Sequence, residues 1–458
     1  MPDPQLYFNG INGATGDYLL PPMELEEMAD LILGEKDDPA LLRFLKSWWR
    51  LISEEMRGVV FGVDPLDLQQ AKWGIIFHPD EPQEVRDALA PLVEHRQGRV
   101  LDYQPGETKD LWLARHGSGP GPVDPEKVPY YLLIVGRPER IPFSFQYMLD
   151  VQHAVGRLAF DTAEEYTRYV ESVIAYERDA RVPTAREMAV FATRHPNDPA
   201  TQLSADHLAK PLAEEVPARQ GYGVRELWGE AATKEKLGEL LMAKEAPPPA
   251  FLFTATHGMG FPVGDPRQFD EQGALLCQDW PGLGTISEDH YFRGADLDPE
   301  ARVHGMILFA FACFSAGTPQ KEDFAHRPGS PPPDVAPRPF VAALPRRLLA
   351  HPQGGALAVI GHVERAWGYS FVWGRAGTQL NVFKDALGKI LAGWTVGHAM
   401  EGFNQRFAEV STELSQLLER ASFGWSVPPQ DLVGWWTARN DARNYILLGD
   451  PAVHLRGD

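Results

Sequence analysis

The chain has 458 residues, and its 43 Lys and Arg stand against 63 Asp and Glu, a formal net charge of −20. Nucleic acid and anionic membrane both call for a basic footprint, so neither is expected as a partner. The surplus of acid suits a cationic substrate and serves solubility equally well. Hydrophobic residues at 44% and charged residues at 23% are ordinary for a globular protein. The length allows two or three domains, or one large α/β unit with a subdomain.

Two cysteines, Cys277 and Cys313, are too few for a disulfide framework. The longest apolar run, Met306 to Phe314, is nine residues, against the roughly 20 needed to span a bilayer. The first ten residues have neither a basic stretch nor an apolar core, so no secretory signal is read there and a cytoplasmic location is expected.

In chain order, residues 1–70 read as an N-terminal helical extension. Leu25, Met28, Leu31 and Ile32 keep helical spacing, and a second helical stretch, Leu41–Met56, carries Trp48 and Trp49. Residues 71–185 read as a first α/β subdomain. Its strands are Trp73–Phe77 and Tyr130–Val135, its helices Pro82–His95 and one opening at the capping box of Thr162 with Glu165. Residues 186–458 read as the main α/β subdomain. Strands at Met188–Ala192, Ala250–Thr256, Gly305–Cys313 and Ala356–Ile360 alternate with helices at Leu203–Glu215, Phe340–Ala350, Gln379–Leu391 and Val396–Glu419. Continuous apolar strands between amphipathic helices predict a mostly parallel sheet covered on both faces. Such sheets bind ligands at the carboxyl ends of their strands.

Two strand ends carry chemistry. One runs into Thr256-His257-Gly258, the other into Ala312-Cys313-Phe314-Ser315-Ala316-Gly317. On neighbouring strands these tips lie about 5 Å apart. A cysteine nucleophile needs an imidazole to raise its thiolate fraction and to protonate a leaving amine. Gly258 has no Cβ to block a scissile carbonyl, so its N–H and that of Cys313 suit an oxyanion hole. Taken singly, a buried cysteine is also a small hydrophobe, and one of 14 histidines at a strand end is unremarkable. It is the pair that points to catalysis. Cys277 reads as a packed strand residue. His362, after the strand at Ala356–Ile360, reads as either cleft-lining or structural, and Trp367 as either a pocket wall or core.

At these residues the chain resembles the caspase-like clan of cysteine peptidases, and its gingipain-type family in particular. The landmarks are Leu132–Phe143, Leu149–Arg157, Thr162–Glu177 and the tail Asn444–Ala452, and the resemblance spans about 130–455. It implies a caspase-like fold, hydrolysis of peptide bonds in a protein substrate, His257 as general base and acid, and Cys313 as nucleophile. It names no third catalytic residue. By the same resemblance a carboxylate before the Gly156-Arg157 strand lines the S1 pocket for Arg or Lys. Asp150 is the acid there, and Asp289 is the next candidate. No Walker pattern, His-Glu-x-x-His or paired Cys-x-x-Cys occurs, so no metal or cofactor is expected. Residues 318–339, with seven prolines, are expected to form an exposed, mobile loop open to self-cleavage. Two other functions stay open: a catalytically silent partner-binding module of the same fold, and a thiol acyltransferase.

Overall fold

Segments such as Tyr131-Leu-Leu-Ile-Val135 have no polar face, so they are stable only where both faces are covered. The computed structural model satisfies that demand with one ten-stranded sheet. It describes residues 5–6, 11–18, 23–24, 29, 58–179, 181, 183–244, 246–322, 332–373 and 377–456. The helices expected at 25–32 and 41–56 therefore lie outside the described residues, apart from Ala29.

The strands are β1 Trp73–Phe77, β2 Arg99–Asp102, β3 Tyr131–Val135, β4 Ala154–Leu158 and β5 Ala185–Ala192. They continue as β6 Gly223–Trp228, β7 Pro249–Ala255, β8 Ile307–Phe311, β9 Ala358–His362 and β10 Tyr445–Gly449. Their order across the sheet is β2-β1-β3-β4-β10-β9-β8-β7-β5-β6. Every neighbouring pair is parallel except β9 with β10. Two five-stranded parallel blocks thus run in opposite directions and meet at one antiparallel seam. The carboxyl ends of β5, β7, β8 and β9 share an edge with the amino ends of β4 and β10.

Burial follows position. β1, β3, β4, β7, β8, β9 and β10 are buried throughout, whereas the outer strands β2 and β6 are mostly exposed or half-buried. Charged residues on the outer strands, including Arg225 paired with Glu187 of β5, discourage pairing with another chain. Helices flank the sheet. The described ones include α1 Gln83–His95, α2 Phe143–Leu149, α3 Ala163–Arg178, α4 Pro199–Ser204 and α5 Lys210–Arg219. Further on come α6 Asn381–Leu391, α7 Glu401–Ser422 and α8 Pro429–Asn444. The capping box of Thr162 with Glu165 opens α3 as its sequence predicts. No described helix is long and apolar enough to cross a membrane.

Near the seam the core is aromatic. Phe309 of β8 has Phe253, Phe383, Phe403 and Tyr445 with ring centroids within 5.9 Å. The tail motif Leu448-Gly-Asp-Pro-Ala452 locks β10 into the first block. Asp450 accepts from Trp73 Nε1 at 2.8 Å and from Arg96 Nε at 2.8 Å, and Arg96 also grips Glu177 of α3. Gly449 has φ +116°, and a Cβ there would lie 2.7 Å from the Leu357 carbonyl, so only glycine fits this turn.

The stretch expected as a loop at 318–339 is tied down at both described ends. Thr318 pairs with Phe340, Lys321 bridges to Asp334, and Thr318, Glu322 and Ala336 are buried. Between these points Gln320, Lys321, Pro333, Asp334, Pro337 and Arg338 are exposed, so the described part of the stretch lies at the surface, with pairing satisfying some of its backbone. Residues 323–331 lie outside the described residues.

Three buried histidines make stability depend on pH. Burial lowers His153 to about 3 and His195 and His398 to about 4, against about 6.5 in an unfolded chain. As pH falls through about 6.5 the unfolded chain takes up these protons and the folded chain does not. Stability should be full above about pH 7 and decline from about 6.5 towards 4. Urea midpoints at pH 7.5 and pH 5 measure this, and His153→Phe or His398→Phe should flatten the decline.

Candidate functional site

Paired strands set the level of the two residues that sequence singles out. Ala255 of β7 stands opposite Phe311 of β8, and the ladder ends with Thr256 N–H donating to the Phe311 carbonyl at 3.2 Å. His257 and Cys313 each follow two residues beyond the Ala255–Phe311 pair, so they leave the sheet side by side. Gly258 is packed against the backbone of Cys313: a Cβ on it would lie 1.7 Å from the Cys313 carbonyl oxygen and 2.8 Å from its nitrogen. No larger residue fits without parting the strand tips. Phe314, just after the thiol, takes φ +57°, uncommon for a bulky residue. Its N–H donates to the Glu364 carbonyl at 2.9 Å. Among the described residues, the N–H groups of Gly258 and Cys313 have no acceptor.

A third residue joins from β5, on the other side of β7. Asp198 lies in the loop between β5 and α4, and its Oδ2 is 2.6 Å from His257 Nε2. The same oxygen accepts from Thr201 Oγ1 at 2.8 Å, while Oδ1 accepts from Tyr18 OH at 2.6 Å and from Ala200 N–H at 3.1 Å. Burial alone would raise this carboxyl. The His257 ring and the donors Tyr18 and Thr201 instead hold it well below the usual carboxylate range. Close by, His195 is buried, and burial together with the charge of His257 lowers it to about 4. It is neutral near pH 7 and adds no charge to the pair. Sequence reasoning named no third residue. The available signal was the Asp-Pro dipeptide at 198–199: an N-cap with proline at the first helical position, just after a strand next to the histidine's own.

The thiol is sealed. Cys313 and His257 are fully buried. Burial pushes the Cys313 thiol up to about 12, opposed by the Ala366 N–H and the Arg365 charge. The cover is the strap that follows β9, residues 363–371. Ala366 N–H donates to Cys313 Sγ at 3.2 Å, and the thiol faces the Ala366 carbonyl at 3.8 Å. On either side of Ala366 the strap is pinned by side chains. Arg365 Nη1 pairs with Glu322 Oε1 at 2.6 Å and with Glu364 Oε1 at 3.2 Å, all three residues being buried. Trp367, also buried, donates its N–H to Asp441 Oδ1 at 3.0 Å. His362, at the end of β9, is buried with its ring edge-on to Tyr445 and its Nε2 3.3 Å from Asp441 Oδ1. It supports the strap's anchor from below.

The structure thus sets His257 and Gly258 at the tip of β7 beside Cys313 at the tip of β8, and joins Trp367 and His362 through Asp441 in the strap that touches the thiol. The two S1 candidates are not among the groups that hold the thiol or the imidazole. Asp150 is enclosed at the turn between α2 and β4, where burial drives its carboxyl upward against the pull of the Val155 N–H and of Arg157. Asp289 is exposed in a short 3-10 turn. Among the described residues neither acid contacts His257 or Cys313. The carboxylates whose charge reaches the thiol are Glu364 and Asp441. Cys277 is buried beside the strand Leu275–Leu276, with burial raising its thiol.

Chemically, a thiol, an imidazole held by a carboxylate and two backbone N–H groups at the strand tips are the parts of nucleophilic acyl transfer. Two substitutions test the packing. Gly258→Ala should part the strand tips and destabilise the fold by about 1–3 kcal/mol, the usual range for overpacking, read from urea unfolding. Asp441→Ala frees the Trp367 N–H and removes a negative charge near the thiol. Alkylation of Cys313 by iodoacetamide should then speed up about tenfold, the worth of one buried hydrogen bond to a charged group. Mass spectrometry separates Cys313 from Cys277.

No family model and no curated protein matches the chain. Among solved structures, one titled "Structure of Protease" aligns over 84% of this chain and 78% of its own, with a TM-score of 0.50 and 12% identity. The Arg-specific cysteine proteinase gingipain R aligns over 86% and 80%, with a TM-score of 0.47 and 13% identity. The complex of pro- and mature domains of RgpB from Porphyromonas gingivalis aligns over 84% and 80%, with a TM-score of 0.46 and 11% identity. The chain is similar in fold to the first of these, a mixed α/β arrangement around a large, mostly parallel sheet.

Proposed function

We propose that this chain is a cysteine endopeptidase. The observation that carries the reading is the arrangement of Cys313 and His257 on neighbouring strand tips, with the imidazole bound through Nε2 to a buried Asp198. Fold likeness to proteases agrees with it.

The residues act in sequence. Asp198 holds His257 Nε2, and in this reading Nδ1 is the ring nitrogen that takes the proton of the Cys313 thiol. The thiolate attacks the scissile carbonyl carbon, and the developing oxyanion is met by the N–H groups of Gly258 and Cys313. His257 then gives its proton to the leaving amine as the C–N bond breaks, leaving a thioester. A water loses a proton to His257 and attacks the thioester, which releases the acid and restores the thiol.

Cleavage after Arg or Lys is part of this proposal. Its support is chemical: the buried pair Glu322 and Glu364 already grips one guanidinium, that of Arg365, next to the residue that clamps the thiol. A buried guanidinium must be paired, and these carboxylates show the means. The substrate is a protein, the setting is cytoplasmic, and self-processing within residues 318–339 belongs to the same reading. The sealed thiol favours one alternative, a module that stays silent unless the strap opens.

The test is cleavage of a fluorogenic peptide library. Wild type should cut after Arg or Lys, and Cys313→Ala and His257→Ala should each lose at least about a thousandfold with little change in folding. Residual activity in Cys313→Ala above about one part in a hundred would overturn the nucleophile. Cleavage after Asp or small apolar residues would overturn the basic preference. Acyl transfer to an added amine without peptide cleavage would point to the acyltransferase, and no reaction at all to the silent module.

A further inference from the structure

Asp198 does not stand by itself. One of its two oxygens is held by a residue 180 positions away in the chain, the phenol of Tyr18. Tyr18 closes a small hairpin. Ile11 bridges to Tyr18, Asn12 N–H donates to the Asp17 carbonyl at 2.8 Å, and Gly16 N–H donates to the Asn12 carbonyl at 2.8 Å. This hairpin is laid against the catalytic strand tip. Ile11 and Asn12 pair in parallel with Met259 and Gly260, directly after His257-Gly258, and Gly13 N–H donates to the Gly260 carbonyl at 2.9 Å. Ile11 is buried with Met259, Phe261, Leu276, Trp280 and Tyr291, and Tyr18 packs against that cluster. The turn is seated tightly: a Cβ on Gly13 would lie 2.5 Å from the Phe261 ring, and one on Gly16 2.1 Å from the Gly284 carbonyl.

The phenol is therefore fixed on both sides. Its hydroxyl donates to Asp198 Oδ1 at 2.6 Å, and its ring stands edge-on to the His257 imidazole, centroids 5.9 Å apart at 79°. Oδ2 serves His257 and Thr201, whereas Oδ1 takes Tyr18 and the Ala200 N–H. A carboxylate can rotate about its Cβ–Cγ bond. A donor on Oδ1 from outside the local loop stops that rotation and keeps Oδ2 aimed at Nε2.

We infer that Tyr18 is a positioning residue for the catalytic histidine, acting through Asp198, so that the N-terminal hairpin Ile11–Tyr18 is a working part of the active site. The inference rests on the peptidase reading for its kinetic consequence, and on the geometry for its spectroscopic one.

In the full-length protein, Tyr18→Phe keeps the ring and removes the hydroxyl. The turnover number should fall about fivefold to twentyfold with KM unchanged, the range for losing one short hydrogen bond to a carboxylate. In an Asp198→Ala background the same substitution should change the rate by less than about twofold, because the residue it acts through is gone. A loss of the same size in that background, or a change confined to KM, overturns the inference. A second readout needs no activity. The downfield proton resonance of His257 Nε2–H should shift in Tyr18→Phe and vanish in Asp198→Ala, and an unmoved resonance in Tyr18→Phe overturns the inference. Gly13→Val, which unseats the hairpin without touching the phenol, should reproduce both the kinetic and the spectral change. If wild type cleaves no peptide, the peptidase reading falls and the resonance still decides the role of Tyr18.

Discussion

One antiparallel pairing, β9 with β10, sets where everything else in this molecule lies. Had all ten strands run the same way, the loops that follow β5, β7, β8 and β9 would share an edge with the loops that follow β4 and β10. Because the direction reverses at the seam, they share it with the segments that enter β4 and β10 instead. The end of α8, with Asp441 and Asn444, is thereby delivered beneath the strap that covers Cys313. The seam in turn depends on the end of β10. Asp450, held by Trp73 and Arg96, anchors the tail of the chain to the first block. Such a buried carboxylate is stable only with its donors in place, so register and site geometry are specified together.

Much of this was legible in the sequence, and the boundary between what was and was not is physical. The central strands have continuous apolar runs, and those were read within a few residues of their observed ends. The outer strands Arg99–Asp102 and Gly223–Trp228 escaped because an edge strand bears charge on its open side and shows no apolar run. β10 was seen as a landmark of a family rather than as a strand, and β4 as a strand only through that resemblance, for each is five residues with glycine inside or at its end. Helix α8 escaped for the opposite reason: its buried face carries Arg439, Asn440, Asp441 and Asn444, so it lacks an apolar stripe.

The same limit applies to the site. His257 and Cys313 sit at the ends of readable strands, and strand ends are where parallel sheets place chemistry. Asp198 could be found only by knowing that β5 adjoins β7, a fact of strand order that periodicity does not contain. Tyr18 was further out of reach, since its contact with Asp198 spans 180 positions and depends on a hairpin of two-residue strands. Asp150 attracted attention by sequence position; its carboxyl is enclosed at the foot of β4, where burial drives it upward.

The sealed thiol follows from the kind of contacts that make the seal. Below it, the strand tips are held by the ladder and by apolar packing, which water cannot replace. Above it, the strap is held by Arg365 on Glu322 and Glu364, by Trp367 on Asp441, and by Arg406 donating to the Ser370 carbonyl. Hydrogen bonds to charged groups of this sort are worth about 1.5–3 kcal/mol net each, since water can take over their partners, whereas the apolar packing below has nothing in water to exchange for. When the site opens, the strap should therefore give way before the strands do. Displacing the strap removes the burial that pushes the Cys313 thiol up, so exposing the thiol lowers it towards its ordinary value. The cover of the thiol and its acidity are thus tied to one segment, residues 363–371, which is held by the carboxylates Glu322, Glu364 and Asp441.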